Sequence, residues 1–345
     1  MTGVGSSRNS GNKRPTLKDV AERAGVSETT ASHVLTGRRY VAERTQELVL
    51  QVMKDLRYRP NQLARSLRAQ STRTVAFIVQ DIGNVSATIS IRAASTYLRE
   101  RGFTINMVDS PDEGFSASLL QTVLDQLPTG VIFFGHDPEP AAARVLKQHD
   151  VPFVVGGLGA AHQADWDIVF TDQRKIMREL TSLGLSRTTG RVCFFGGDSR
   201  DEGANTRFQG FLDATQQAGR NVTADDVHLV PYTIQGGRTA MALEVENPPQ
   251  LVVCGSDQIA IGAILTARKA GINLPEQMII CGFDNNDACE IITPTLTSVE
   301  VHLAAQGLLC AEILMSRLED RESTLAQPIR HEVHPTIVSR DSMPA

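Results

Sequence analysis

From Thr74 onward the chain repeats one pattern: a short apolar run, then a glycine, proline or polar residue, then a helical segment. VAFIV, TINMV, GVIFF, PFVVG, RVCFF, LVVCG and MIICG are seven such runs, and Asp257 to Ala270 exemplifies the helix that follows. A helix between two strands carries the chain back to the edge it left, so successive strands lie parallel and the sheets are covered by helices on both faces. Ligands of such sheets bind beyond the carboxyl ends of the strands. The residues expected there are Asp81 and Asn84, His136 and Asp137, Gly156 to Gly159, Ser256 and Asp257, and Asp284 to Asp287.

This region carries no recognisable catalytic machinery. Gly157-Leu158-Gly159 lacks the third glycine of a dinucleotide loop, and neither a GK[ST] phosphate loop nor a GxSxG elbow occurs. His331-Glu332-Val333-His334 is one residue short of HExxH and falls in an expected edge strand, where its two histidines would not share a face. The five cysteines, Cys193, Cys254, Cys281, Cys289 and Cys310, contain no CxxC pair and read as reduced packing residues. No enzyme activity, cofactor or metal is expected. No run approaches about 18 uninterrupted apolar residues, and the first residues lack the apolar core of a secretory signal, so a cytoplasmic protein without a membrane span is expected.

The net charge of -5 conceals a partition. Residues 1 to 73 hold 14 Lys and Arg against 6 Asp and Glu, and the remainder holds 20 against 33. A small basic module on an acidic body suggests that only the first part meets a polyanion. After a Gly, Ser and Asn rich stretch, expected as a disordered tail over 1–14, Thr16 and Asp19 look like a helix cap. Leu17, Val20, Ala21 and Ala24 then recur at helical spacing until Gly25, and Ser27 caps a second short helix that ends at Gly37. That is helix-turn-helix geometry, whose second helix presents its first residues, here Glu28 and Thr29 with His33 one turn on, to base edges. A third helix from about Glu43 to Leu56 is expected to turn Leu48, Val52 and Leu56 inward. Beyond it, Tyr58 to Arg68 forms a short amphipathic segment with Arg65 and Arg68 beside leucines that have no core to join, as a minor-groove wedge would.

The stretch from Thr16 to Arg68 resembles the headpiece and hinge of the lactose-repressor and galactose-repressor family of bacterial transcription regulators. The resemblance implies that Glu28, Thr29 and His33 read bases, that Leu67 intercalates and that Arg68 supports it. Thr16, Ser27, Arg38 and Asn61 complete the expected DNA-contacting set. Glu28 departs from the family pattern: a carboxylate accepts from cytosine N4 but repels phosphate, so the operator should differ from those of close relatives. The likeness continues through the body. Asp81-Ile82-Gly83-Asn84 is similar to the family's D-x-S-N turn, Arg207-Phe208-Gln209-Gly210-Phe211 to its R-x-x-G-aromatic helix, Ser256-Asp257 to its N-D pair and Gly282-Phe283-Asp284 to its G-aromatic-D strand end. It implies a small effector held by Asp81, Asn84, Asp137, Arg207, Asp257 and Asp284. Asn84-Val85-Ser86 stands where N-P-F is usual, and Gly156-Gly157 where an acidic residue is common. Trp166, the only tryptophan, is expected in a core or rim role, and Asp172 as the cap of the helix from Gln173.

The expected architecture is an all-α helix-turn-helix headpiece (15–59), a hinge helix and linker (60–73), and an α/β periplasmic-binding-protein-like body of two parallel-sheet subdomains (74–341). The first subdomain should take about 74–171 and 300–327, the second about 172–299 and 328–341. The expected function is a homodimeric, sequence-specific transcription regulator, a repressor of double-stranded operator DNA controlled by a sugar or related metabolite. With no heptad segment after Arg330 to His334, a dimer is expected rather than a tetramer. A solute-binding protein is disfavoured by the headpiece, and a nucleotide-dependent enzyme by the missing phosphate loops.

Overall fold

The computed structural model describes residues 15–36, 39–56, 58, 72–80, 82–110, 117–135, 137–158, 165–197, 202–320 and 327–344. The chain divides into two compact units, Met1–Gln70 and Ser71–Ala345.

In the first unit, α1 (Leu17–Ala24) opens on a reciprocal cap. Asp19 N donates to Thr16 Oγ1 at 3.3 Å, and Thr16 N donates back to Asp19 Oδ2 at 2.7 Å. Gly25 ends the helix in the left-handed region (φ 66°), where a side chain would be strained. Ser27 Oγ accepts from Thr30 N at 3.0 Å and starts α2 (Glu28–Thr36), and α3 (Glu43–Asp55) closes the bundle. The core is Val20, Ala21, Ala24, Ala31, Val49, Val52 and Met53. Leu48 is not part of it and stands 47% exposed, with Val49 inside in its place. Positions 48, 52 and 56 and positions 49, 52, 53 and 56 both satisfy helical spacing; packing against α1 selects the second stripe, which is centred one residue on.

The second unit holds two six-stranded sheets. In the first, β1 (Thr74–Val79), β2 (Thr104–Asp109), β3 (Gly130–Phe134), β4 (Phe153–Leu158) and β5 (Asp167–Phe170) are joined by β11 (Arg330–Glu332) in the order β11-β5-β4-β3-β1-β2, all parallel. In the second, β6 (Val192–Gly196), β7 (Val227–Leu229), β8 (Leu251–Cys254), β9 (Ile279–Asp284) and β10 (Thr297–Glu300) run parallel, with β12 (Thr336–Val338) antiparallel at the edge beside β10. Alternate residues of β1 enter separate cores, Val75, Phe77 and Val79 on one face and Ala76 and Ile78 on the other, as a sheet covered on both sides requires.

The covering helices are α4 (Val85–Glu100), α5 (Ala117–Leu124), α6 (Pro140–Gln148) and α11 (Leu303–Glu319) on the first sheet, and α7 (Gln173–Leu185), α8 (Glu202–Gln217), α9 (Ile234–Ala242) and α10 (Asp257–Lys269) on the second. Asp172 caps α7 by accepting from Lys175 N at 2.9 Å. The edge strand Arg330–Glu332 pairs with β5 in the first sheet, so it lies outside the second subdomain, to which 328–341 was expected to belong. The chain thus crosses between subdomains at Thr171–Asp172, at Val301–His302 and after Val333. Gly156 has a packing reason: a Cβ there would come within 2.4 Å of Cys310 Sγ on α11. All five cysteines are buried free thiols.

Candidate functional site

Thr16 and Ser27 spend their hydroxyls on helix caps, which fixes the entry of α1 and α2. Glu28 and Thr29 are exposed on the first turn of α2, and His33, half-buried, follows Thr29 by one helical turn on the same face. Ala31 faces the core on the opposite side. The structure therefore brings Glu28, Thr29 and His33 onto one accessible helix surface. Arg38, Asn61, Leu67 and Arg68 lie outside the described residues, as do Asp81, His136 and Gly159 of the body.

In the body, the ends of the two sheets meet across a cleft. Asn84 caps α4, accepting from Ser86 N at 2.9 Å, and Ser86 Oγ donates to Asp284 Oδ2 at 2.6 Å. That bond joins the first subdomain to the carboxyl end of β9 in the second. Asp284 and Asn285 both adopt positive φ (105° and 52°), a backbone cost that the surroundings must hold in place. Asp257 does much of the holding. Fully buried at the start of α10, it accepts from Asn286 N at 2.8 Å and from Ser298 Oγ at 2.6 Å, while Ser298 Oγ accepts from Asn285 N at 3.1 Å. Asp257 thus supports the 284–286 turn from beneath.

Arg207, on α8, donates from Nη2 to the Tyr232 hydroxyl at 2.8 Å, and its guanidinium carbon lies 5.1 Å from the Tyr232 ring centre and 5.0 Å from that of Phe283. A cation between two aromatic faces is pre-organised, since the rings favour its charge and restrict its rotamers. Gly197 leaves the room: a Cβ there would sit 2.3 Å from the Tyr232 ring. On the first subdomain, Trp166 Nε1 donates to Asp137 Oδ1 at 3.2 Å while its half-buried ring packs near Phe153 against the core, so Trp166 has a packing role and orients Asp137. Ser86, Tyr232 and Phe283 join the site beyond the expected set. Phe283 stood inside a quoted motif, and Ser86 sat in the departure after Asn84. Tyr232 carried no sequence signal, because it follows an edge strand with no flanking motif.

Burial is the largest cause raising the Asp257 carboxyl, to about 7, and the Asp284 charge adds to it. Burial also lifts Asp284, to about 6, against the downward pull of Arg207 and the Ser86 hydroxyl. An acid whose folded pKa is raised contributes stability present below its unfolded pKa, about 3.9, and lost as pH rises through the folded value. Asp257→Asn, which keeps one acceptor for Asn286 N and offers a donor to Ser298, should therefore gain stability relative to the wild type between pH 5 and pH 8, by roughly 1 to 2 kcal/mol. Thermal unfolding of both proteins across that range measures it. A difference that does not change with pH would show that Asp257 takes up no proton in the folded protein.

A depression of about 720 Å³ in the second subdomain is lined by Arg191, Asp226, His228 and Glu244 among others. Arg191 pairs with both carboxylates and His228 Nε2 hydrogen-bonds with Glu244 Oε1 at 2.6 Å, so these groups satisfy one another and hold the segment after α9 to the sheet edge. Among the described residues, no group of three His, Cys, Asp or Glu side chains could hold a metal ion, and no helix is long and apolar enough to cross a membrane.

Residues 16–61 match the family described as bacterial regulatory proteins, lacI family, and residues 178–343 match the periplasmic binding protein-like domain. The HTH-type transcriptional repressor PurR of Pectobacterium carotovorum subsp. carotovorum is 30% identical over 336 residues, covering 95% of this chain and 96% of the relative. The repressor of the same description from Vibrio vulnificus is 27% identical over 341 residues, covering 95% and 98%. Among solved structures, a Lacl family transcriptional regulator from Silicibacter pomeroyi superposes with a TM-score of 0.82 at 26% identity, covering 96% of this chain and all of that one (100%). The lac repressor dimer bound to operator and the anti-inducer ONPF gives a TM-score of 0.82 at 18% identity with 96% and 100% covered, a likeness of fold. The transcriptional regulator CelR in complex with cellobiose gives 0.67 at 25% identity, covering 95% and 100%.

Proposed function

The chain belongs to the lacI family of bacterial regulatory proteins, and from that premise we propose how this member works. It is a DNA-binding transcription repressor without enzymatic activity, acting as a homodimer on operator DNA in the cytoplasm under the control of a small effector. The headpiece reads bases through Glu28, Thr29 and His33 and sets its register through the caps at Thr16 and Ser27, with Arg38 and Asn61 on the backbone and Leu67 and Arg68 in the minor groove. The effector sits in the cleft between the two sheets of the body. The observation that carries this reading is the convergence there of Arg207, held between two aromatic rings, with Asp284, whose carboxylate already spans the cleft to Ser86.

A guanidinium and a carboxylate beside the partly exposed Tyr232 ring form the donor and acceptor mix of a polyol site, in which sugar hydroxyls both give and take hydrogen bonds while an apolar ring face stacks. Asn84 and Asp137 add polar groups from the first subdomain, and Asp257 acts through the turn that carries Asp284. The effector is a sugar or related metabolite. A purine base is the second reading, favoured by the partly exposed Tyr232 ring beside Arg207, since a planar heterocycle stacks as readily as a sugar face.

The test is operator binding by the full-length protein, using a palindrome selected from a random library, with and without cellobiose, ribose or adenine. A thermal shift on the same compounds identifies binders, because a ligand that binds only the folded state stabilises it by mass action. Glu28→Ala and His33→Ala should change which bases are preferred, by roughly 1 to 3 kcal/mol per base pair, with smaller loss of non-specific affinity. A uniform loss over all sequences would make these residues phosphate or structural contacts instead.

A further inference from the structure

The three crossings between the subdomains are tied together by two buried side chains. Gln306, in the first turns of α11, donates from Nε2 to Val301 O at 2.6 Å and to Thr171 Oγ1 at 3.2 Å. Thr171 Oγ1 in turn donates to Val333 O at 3.0 Å. Val301, Thr171 and Val333 stand one on each crossing, so a single hydrogen-bonded chain touches all three. Its polarity is fixed: Val301 O can only accept, so the amide nitrogen must face it, and the Thr171 hydroxyl accepts from Gln306 and passes its own proton to Val333 O. Thr171 is 1% exposed and Gln306 3%, so water does not substitute for these bonds.

Two further features make this more than packing. The Gln306 Oε1 atom is buried with no hydrogen-bond partner, so the arrangement keeps a desolvated acceptor that an apolar residue would avoid. The second crossing is also wired to the cleft. Glu300 Oε1 accepts from His302 N at 2.6 Å, and Glu300 Oε2 accepts from Asn285 Nδ2 at 2.8 Å. Asn285 follows Asp284, the residue bonded across the cleft, and His302 is held in the left-handed region (φ 56°) where the crossing turns into α11.

We infer that Gln306 and Thr171 form a clasp on the three crossings that favours the arrangement seen here, in which Ser86 Oγ reaches Asp284 across the cleft, and so sets the equilibrium an effector has to shift. Opening the cleft requires the crossings to rotate against one another, which a chain of bonds spanning all three resists. A ligand moves a two-state equilibrium only by its differential affinity for the two states, so the clasp fixes how much of that difference is needed. This rests on the reading of the cleft as the effector site, and the experiment separates the two.

Spin labels on Arg144→Cys and Lys269→Cys, exposed positions on α6 and α10, report the distance between subdomains in the ligand-free full-length protein; the native thiols are buried and burial raises their pKa values, so labelling is selective. Gln306→Met removes the amide and Thr171→Val removes the hydroxyl at nearly constant volume. Each should raise the population of a second, open distance by about threefold or more relative to the wild type, and Thr171→Ser, which keeps the hydroxyl, should restore the wild-type distribution. Distributions identical to wild type in both variants, with only a lower unfolding temperature, would overturn the clasp and leave a merely structural role. Should Gln306→Met misfold, Thr171→Val and its serine rescue decide alone. Operator titrations with cellobiose, ribose and adenine are the separate arm: no response to any of them in the wild type, with the distance shift intact, sinks the effector reading and leaves the clasp standing.

Discussion

Arg207→Ala is expected to weaken effector binding by roughly 2 to 4 kcal/mol while leaving operator binding by the ligand-free protein in place. The guanidinium lies between Tyr232 and Phe283 and opposes the charge of Asp284, so its removal has three consequences. The effector group it serves is left unpaired in a largely desolvated cleft. The Tyr232 hydroxyl loses its donor at 2.8 Å. Asp284 loses the positive charge that holds its carboxyl down, so the carboxylate becomes harder to keep ionised. If the effector acts as an inducer, the variant holds its operator at concentrations that release the wild type; if it acts as a corepressor, the variant fails to bind when effector is added. Direct effector titration alongside operator binding distinguishes these cases, and a folded Arg207→Ala protein with wild-type effector affinity would place the site elsewhere.

Leu67→Ala should lower operator affinity by a few kcal/mol and leave effector binding intact. An apolar wedge repays the unstacking of a base step by bending the duplex onto more protein surface, and alanine is too short to enter the step. Non-specific affinity rests on phosphate contacts from Arg and Lys and should change far less. The comparison is therefore operator against scrambled duplex at one salt concentration. Equal losses on both would make Leu67 a packing residue of the hinge, and no loss on either would remove it from the interface.

The two units differ in how far their sites could be read from the chain. Caps and turns are written in adjacent residues: Thr16 with Asp19, Gly25 and Ser27 each act within three or four positions, and each stands in the structure as its spacing implied. The stripe on α3 was less legible, because two registers of apolar residues fit one helical period and only contact with α1 distinguishes them. The seven apolar runs were visible because fully buried parallel strands are continuous in hydrophobicity. The short strands β5, β7, β10 and β12 were not read as strands; they are three or four residues long, and β7, β10 and β12 mix polar residues with apolar ones.

By itself, then, the sequence determined the parts whose physics is local or repetitive: a capped basic helix-turn-helix, an α/β body, the absence of phosphate-loop motifs and the polar residues at strand ends. Tertiary structure alone decided what those residues do to one another. Asp257 was expected to meet ligand, yet lies beneath the 284–286 turn with both carboxylate oxygens occupied by Asn286 and Ser298. Ser86 stands where the family has an aromatic residue, and only the approach of β9 gives its hydroxyl the Asp284 partner that spans the cleft. Gln306 meets Thr171, 135 positions away in the chain. Side-chain chemistry can be listed from the chain, but whether a buried carboxylate, hydroxyl or amide serves a ligand or the fold depends on which distant group reaches it first, and that is set by how the two sheets and their three crossings pack.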